Sequence, residues 1–142
     1  MPLPDLATGL VIRYEYLWHS QAKSGADTAE KERPACVALV FESPERGKSV
    51  LLLPITHSEP NADQSAVEIP LKVKKLLGLD DARSWVLVSE CNIDIWPTPD
   101  IRPLPGQTQH FAYGHLPPKL FRKIRDAFMT AYRERTVKTV TR

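Results

Sequence analysis

Two apolar runs dominate the middle of the chain, Ala35-Cys36-Val37-Ala38-Leu39-Val40-Phe41 and Ser49-Val50-Leu51-Leu52-Leu53. Both are short and continuous, which predicts buried strands over 34–42 and 49–56. Glu45-Arg46-Gly47-Lys48 supplies a turn between them, so the pair reads as a hairpin. Upstream, Gly9 to Tyr16 alternates apolar and polar toward its end and predicts a first strand. Residues 1–8 carry Pro2 and Pro4 and read as a loosely held leader. Residues 19–32 are polar without a period, a loop long enough to be functional.

Beyond the hairpin, a Pro/Asn/Asp-rich loop at 58–64 precedes Ala66-Val67-Glu68-Ile69, short enough for an edge strand. Pro70 suits the first turn of a short helix, Leu71 to Leu77, with Val73, Leu76 and Leu77 at helical spacing and Gly78 as its stop. Residues 83–90, containing Trp85-Val86-Leu87-Val88, read as an apolar strand. Four prolines between 93 and 108 make that stretch an irregular connection. Phe111–Gly114 adds a last short strand. Pro117-Pro118 then starts an amphipathic helix to about Arg135, with Leu120, Phe121, Ile124, Phe128 and Ala131 along one face. The sum is a mainly β protein with helices: a small, strongly bent barrel over 9–135, one domain, followed by a basic tail at 136–142.

The length of 142 residues is enough for one sizeable core. No apolar stretch reaches the roughly 18 residues that span a bilayer, and the N-terminus lacks the features of a signal peptide, so the expected location is cytoplasmic, with no membrane contact. Cys36 and Cys91 each sit in an apolar run and read as buried, reduced thiols. The net charge of +2 is unevenly spread. Residues 116–142 hold eight Lys/Arg against Asp126 and Glu134, a net +6, while the rest of the chain carries eleven basic and fifteen acidic residues. A basic end on an acidic body suits a polyanion or an acidic partner, and equally a solvated helix face.

The hairpin also gathers chemistry. Lys31-Glu32-Arg33-Pro34 opens its first strand and Pro54-Ile55-Thr56-His57 closes its second, so a guanidinium, a hydroxyl and an imidazole meet at one end of the sheet. Arg33 suits phosphate oxygens because its planar fork stays charged. Histidine can serve as acid or base, which makes His57, and His19 on the long loop, candidates for proton transfer; His57 serves equally well as a strand-end cap. Metal-ligand spacings, Gly-rich phosphate loops and nucleophile elbows are absent from the sequence, so no metal and no cofactor are expected.

Arg33-Pro34 leading into a hydrophobic strand, and a second strand ending in Pro54-Ile55-Thr56, resemble the MazF/PemK family of toxin ribonucleases. The order of elements from about residue 9 to 135 resembles that family as well. The resemblance implies an SH3-like barrel acting as a homodimer. It also implies metal-free, sequence-selective endoribonuclease activity on single-stranded RNA, with neutralisation by an antitoxin protein. On this resemblance Arg33 and Thr56 take the catalytic positions, and Glu90 aligns with an acidic position after a later strand. Glu90 could move protons or orient Arg33. RNA binding would draw on Trp18 as a stacking surface, on His19 and Lys31 of the long loop, and on Arg122 and Arg125 of the terminal helix. Trp96 is a second stacking candidate, whereas Trp85 belongs to the core. Departures from the family pattern are the long 19–32 loop, the proline-rich 97–105 segment, the extended terminal helix and His57 itself. A non-catalytic nucleic-acid-binding module, DNA or RNA, is the alternative on the same barrel, and a barrel directed at a protein target is a third.

Overall fold

A computed structural model describes residues 3–25 and 32–142. Its strands are β1 (Leu10–Tyr14), β2 (Arg33–Ser43), β3 (Gly47–Thr56), β4 (Ala66–Glu68), β5 (Trp85–Leu87), β6 (Glu90–Ile95), β7 (Ala112–His115) and β8 (Lys138–Thr141). The helices are α1 (His19–Lys23), α2 (Leu71–Leu76) and α3 (Pro118–Arg133). The predicted hairpin is its centre: β2 and β3 pair antiparallel from Ala35↔Pro54 to Ser43↔Gly47, and Gly47 takes the positive φ that ends the turn.

Over Ala35–Ala38 and Val50–Ile55 the hairpin strands are apolar without alternation because both faces of the sheet are covered, whereas Leu39 and Val40, expected to be buried, are exposed. Leu51, Leu53 and Ile55 pack with Cys36, Ala38, Ile124 and Phe128 on the side of α3. Val50 and Leu52 pack with Ala35, Val37, Ile12, Tyr14 and Tyr16 on the other side. Register shifts between Val37 and Leu39 and between Val11 and Ile12 mark bulges, and such insertions bend the strands that carry them.

The strand order is β4-β5-β3-β2-β1-β7, with β6 branching from β3 and β8 pairing parallel to β6. Only the β6–β8 pair is parallel among the described ladders. The sheet does not close into the expected barrel. Among the described residues β4 and β7 find no mutual pairing, and the outer edge of β6 is occupied by β8 rather than by a strand leading back round. No helix among the described residues is long and apolar enough to cross a membrane.

Several expectations change. The single strand at 83–90 is two, β5 and β6, divided by a corner at Val88-Ser89 where Ser65 pairs with both residues. β6 extends into the segment read as irregular. Its polar residues Asn92 and Asp94 point inward: Asn92 brackets the backbone of Leu17, and Asp94 accepts from Tyr14 Oη at 2.7 Å and Thr98 Oγ1 at 2.6 Å. Inward polar groups hid the strand from a hydrophobicity pattern. The leader is anchored by Leu3 and Leu6, which pack against the second core cluster. Residues 19–23 are helical rather than loop. Around α2, Val73 and Leu77 face the core as expected and Lys74 is buried with them, while Leu76 is exposed.

The tail is no loose appendage either. β8 buries Val140, and Arg142 folds inward with its side chain only 6% exposed. One arm of that guanidinium donates to Glu15 O at 2.7 Å and to Tyr14 Oη and Asn92 Oδ1 at 3.2 Å; the other meets Asp100 at 3.2 Å. Counting basic residues could not anticipate this, because charge in sequence says nothing of its partners. Removing one member of a buried charged network strands the others. Arg142→Ala should therefore cost about 2–3 kcal/mol in urea unfolding, and Arg142→Lys, which cannot fork, should recover only part of it. A loss below about 0.5 kcal/mol, the scale of a surface pair, would contradict this reading.

Candidate functional site

Continuing the register of Ala35↔Pro54 outward sets Arg33 beside Thr56 at one end of the hairpin. On the other side of β2, Tyr14 pairs with Arg33 and Arg13 with Pro34. Arg13 and Arg33 both open on a cleft of about 680 Å³ whose lining also includes His57, Lys74, Asp80 and Tyr113. The turn after α2 forms one wall, and residues 104–107 contribute another.

Arg33 is half-buried, and its guanidinium lies over the Trp18 ring, 4.6 Å from the centroid. Trp18 in turn meets Tyr16 edge-on at 5.1 Å. Tyr16 Oη and the backbone N–H of His19 both donate to Glu90 Oε2, each at 3.0 Å. Burial lowers the Arg33 pKa, opposed by Tyr16 and the negative charge of Glu90. Arginine remains ionised under such a shift. Burial, and then the charge of Glu90, push the Tyr16 phenol upward, so it serves as a neutral donor. Arg33 Nε is buried without a hydrogen-bond partner among the described residues. An unpaired buried donor costs on the order of 1–3 kcal/mol, which the stacking on Trp18 partly offsets.

Across the cleft a second group is tied together by a single carboxylate. His57 Nε2 lies 2.7 Å from Asp80 Oδ2, while Lys74 Nζ donates to Asp80 Oδ1 at 2.6 Å. The Ala82 N–H also reaches Oδ1, at 3.2 Å. Lys74, 1% exposed, gives its other protons to Ser84 Oγ at 2.7 Å and to the Ala82 carbonyl. These donors hold the Asp80 pKa below its ordinary value, the Lys74 hydrogen bond first, with the charges of His57 and Lys74 adding to it. Thr56 is 8% exposed, and its hydroxyl oxygen accepts from the Ser58 N–H at 3.1 Å. That bond uses a lone pair and leaves the hydroxyl proton unspent.

Of the residues singled out from sequence, Arg33 and His57 share the cleft, whereas Thr56, buried at the end of β3, is not among the residues lining it. Glu90 stands behind Arg33, on the Tyr16 side, as a charge partner. Trp18 is half-buried with Arg33 over its ring, and Trp96 packs against the second core cluster, so neither is the open stacking surface expected. His19 is half-buried at the start of α1. Arg122 and Arg125 are exposed on α3 and are not among the residues lining the cleft. Lys31 lies outside the described residues. Sequence reasoning missed Arg13, Lys74, Asp80 and Tyr113. The one available signal was Lys74, three residues before Leu77 and so on its inward face. No family model matches the chain, and no curated protein matches it.

A carboxyl with a depressed pKa stabilises the fold fully above its ordinary value of 3.8, and loses that contribution as pH falls through the lower one. Asp80→Asn should thus be less stable than wild type at neutral pH. The gap should narrow as thermal unfolding is followed from about pH 5 down to about pH 2. Because Asp80 is half exposed, added salt should shrink the gap too. A gap that stays constant across that range would argue against the pairing.

Proposed function

We propose that this protein is a metal-independent, sequence-selective endoribonuclease of the MazF/PemK type, cutting single-stranded RNA and restrained by an antitoxin protein. The observation that carries the reading is the shared cleft of about 680 Å³ on which Arg33 and His57 open, at the end of the hairpin where Thr56 ends β3. With this reading goes a fold assignment: the bulged sheet, open at its β4 and β7 edges, is an SH3-like arrangement of strands that does not close. The protein works in the cytoplasm as a homodimer.

In this reaction the ribose 2′-oxygen attacks the adjacent phosphorus, its proton passing to His57 as general base. The bond to the 5′-oxygen breaks, that oxygen takes a proton from solvent at the cleft mouth, and a 2′,3′-cyclic phosphate and a 5′-hydroxyl result. Arg33 neutralises charge gathering on the phosphoryl oxygens, and the Thr56 hydroxyl proton donates to one of them. Glu90 acts through Tyr16 and the loop backbone, keeping Trp18 and Arg33 in register. Trp18 and His19 border the RNA path. A second reading, a non-catalytic nucleic-acid-binding module, draws on the exposed Lys119, Arg122, Lys123 and Arg125 of α3.

Incubation of a long single-stranded RNA with excess EDTA tests the proposal. Wild type should cut at a short motif and leave cyclic-phosphate ends. Arg33→Ala, His57→Ala and Thr56→Val should each fall at least about a hundredfold in cleavage while still binding RNA. RNA that is bound but never cut would favour the module instead. Reversing the charge of Arg122 and Arg125 should weaken binding and flatten its dependence on salt; an unchanged salt slope would remove α3 from the interface.

A further inference from the structure

The grip on His57 is more specific than a surface ion pair requires. Asp80 is fixed at both oxygens: Oδ1 takes Lys74 Nζ and the Ala82 N–H, and Oδ2 meets His57 Nε2. Lys74 is buried with three acceptors around its ammonium, so it cannot swing away to solvent. Its presence keeps Asp80 ionised, since protonating the carboxyl would leave a buried cation with neutral partners alone. An ionised carboxylate only accepts hydrogen bonds, so the nitrogen facing it must donate.

We infer that Lys74 and Asp80 are positioning residues that hold the neutral His57 ring with its proton on Nε2, leaving Nδ1 as the nitrogen that takes the substrate proton. The tautomer is a property of the free protein; only the identity of that proton as a ribose 2′-hydroxyl rests on the ribonuclease reading. The other charged groups lining the cleft with His57 are Arg13 and Arg33 from the neighbouring strands and Glu32 beside them. Asp80 is the carboxylate in hydrogen-bond contact with the ring. A buried lysine thus acts on the cleft at second hand, through the direction of one hydrogen bond.

Asp80→Asn turns this into a test, because the amide is nearly the same shape but carries a direction. Lys74 Nζ and Ala82 N–H can only donate, so they claim the amide oxygen. The NH₂ group then faces His57, and Nε2 must accept. The ring proton moves to Nδ1, and the basic lone pair at that atom is lost. Long-range ¹H–¹⁵N correlation of the neutral His57 ring should show the Nε2–H form in wild type and the Nδ1–H form in Asp80→Asn. With single-stranded RNA, Asp80→Asn should lose about 10²–10⁴-fold in kcat, the scale of a wrong tautomer, with KM little changed. A purely structural role for Asp80 would lower thermal stability without switching the ring proton.

Wild-type His57 found in the Nδ1–H form overturns the inference without any variant, so a poorly folding Asp80→Asn does not shield it. An Asp80→Asn protein that switches tautomer yet keeps full kcat overturns the assignment of Nδ1 as base. If wild type shows the switchable tautomer but cuts no RNA, the ribonuclease reading fails and the positioning role of Asp80 stands.

Discussion

β3 is the strand on which the rest of the molecule hangs, because it changes partner halfway along. Ser49 to Leu52 pair with β6, Ile55 and Thr56 pair with β5, and β2 runs along the opposite edge from Gly47 to Pro54. Pro54 sits at the changeover. A proline in a central strand removes a ladder donor and ordinarily marks an edge or a bulge, but here it falls between the last β6 pair, at Leu52, and the first β5 pair, at Ile55. The missing N–H costs least at that point. The same change of partner swings the end of β3 away from β6 and carries Thr56 and His57 toward the turn after α2, where Asp80 waits.

The second face of the sheet is held by an uncommon mixture. Tyr14, Asp94 and Thr98 form a closed buried set, Asn92 ties β6 to Leu17, and Arg142 brings the chain end into the same region. Burial and the charge of Asp94 push the Tyr14 phenol well above its ordinary range, so it stays a neutral donor. Such networks are favourable only when every member is satisfied. Here the satisfying groups come from four separate stretches of chain, which fixes how β1, β6, the 97–101 segment and β8 sit together. Because Tyr16 and Glu90 continue this region toward Trp18, the wall behind Arg33 inherits its rigidity.

These features explain what could be read in advance. The hairpin, α3 and the short α2 were legible because burial there is written in apolar residues at strand or helix spacing, and Gly47 and Gly78 punctuate them with positive φ. β6 and β8 were not, since their inward positions include Asn92 and Asp94, and since Val140 is a lone apolar residue among Lys138, Thr139 and Thr141. The site was legible in part. Arg33 and His57 follow from hairpin geometry, which two-residue periodicity and a turn define. Asp80 and Lys74 join them only through the docking of α2 on the sheet, a tertiary event with no local signature. The exposure expected of Trp18 failed for a related reason: a residue at a loop mouth looks free until the guanidinium that covers it is known.

The burial of Lys74 bears on why the cleft is built as it is. Placing an ammonium at 1% exposure carries a desolvation penalty of several kcal/mol. A methionine or leucine of similar volume would fill the same space without it, and such replacements are often neutral or stabilising. Packing therefore gives no reason for a lysine there. What an apolar side chain could not do is hold one oxygen of Asp80 while the other faces His57. A carboxylate on an exposed turn, pinned only by solvent, would sample many rotamers, and its hydrogen bond to the ring would be intermittent. With Lys74 beneath it and the Ala82 N–H beside it, its direction is set before any ligand arrives. Preorganisation of that kind is worth most where a proton must be taken up at one particular atom, and on this chain the ring it orients lines the same cleft as Arg33.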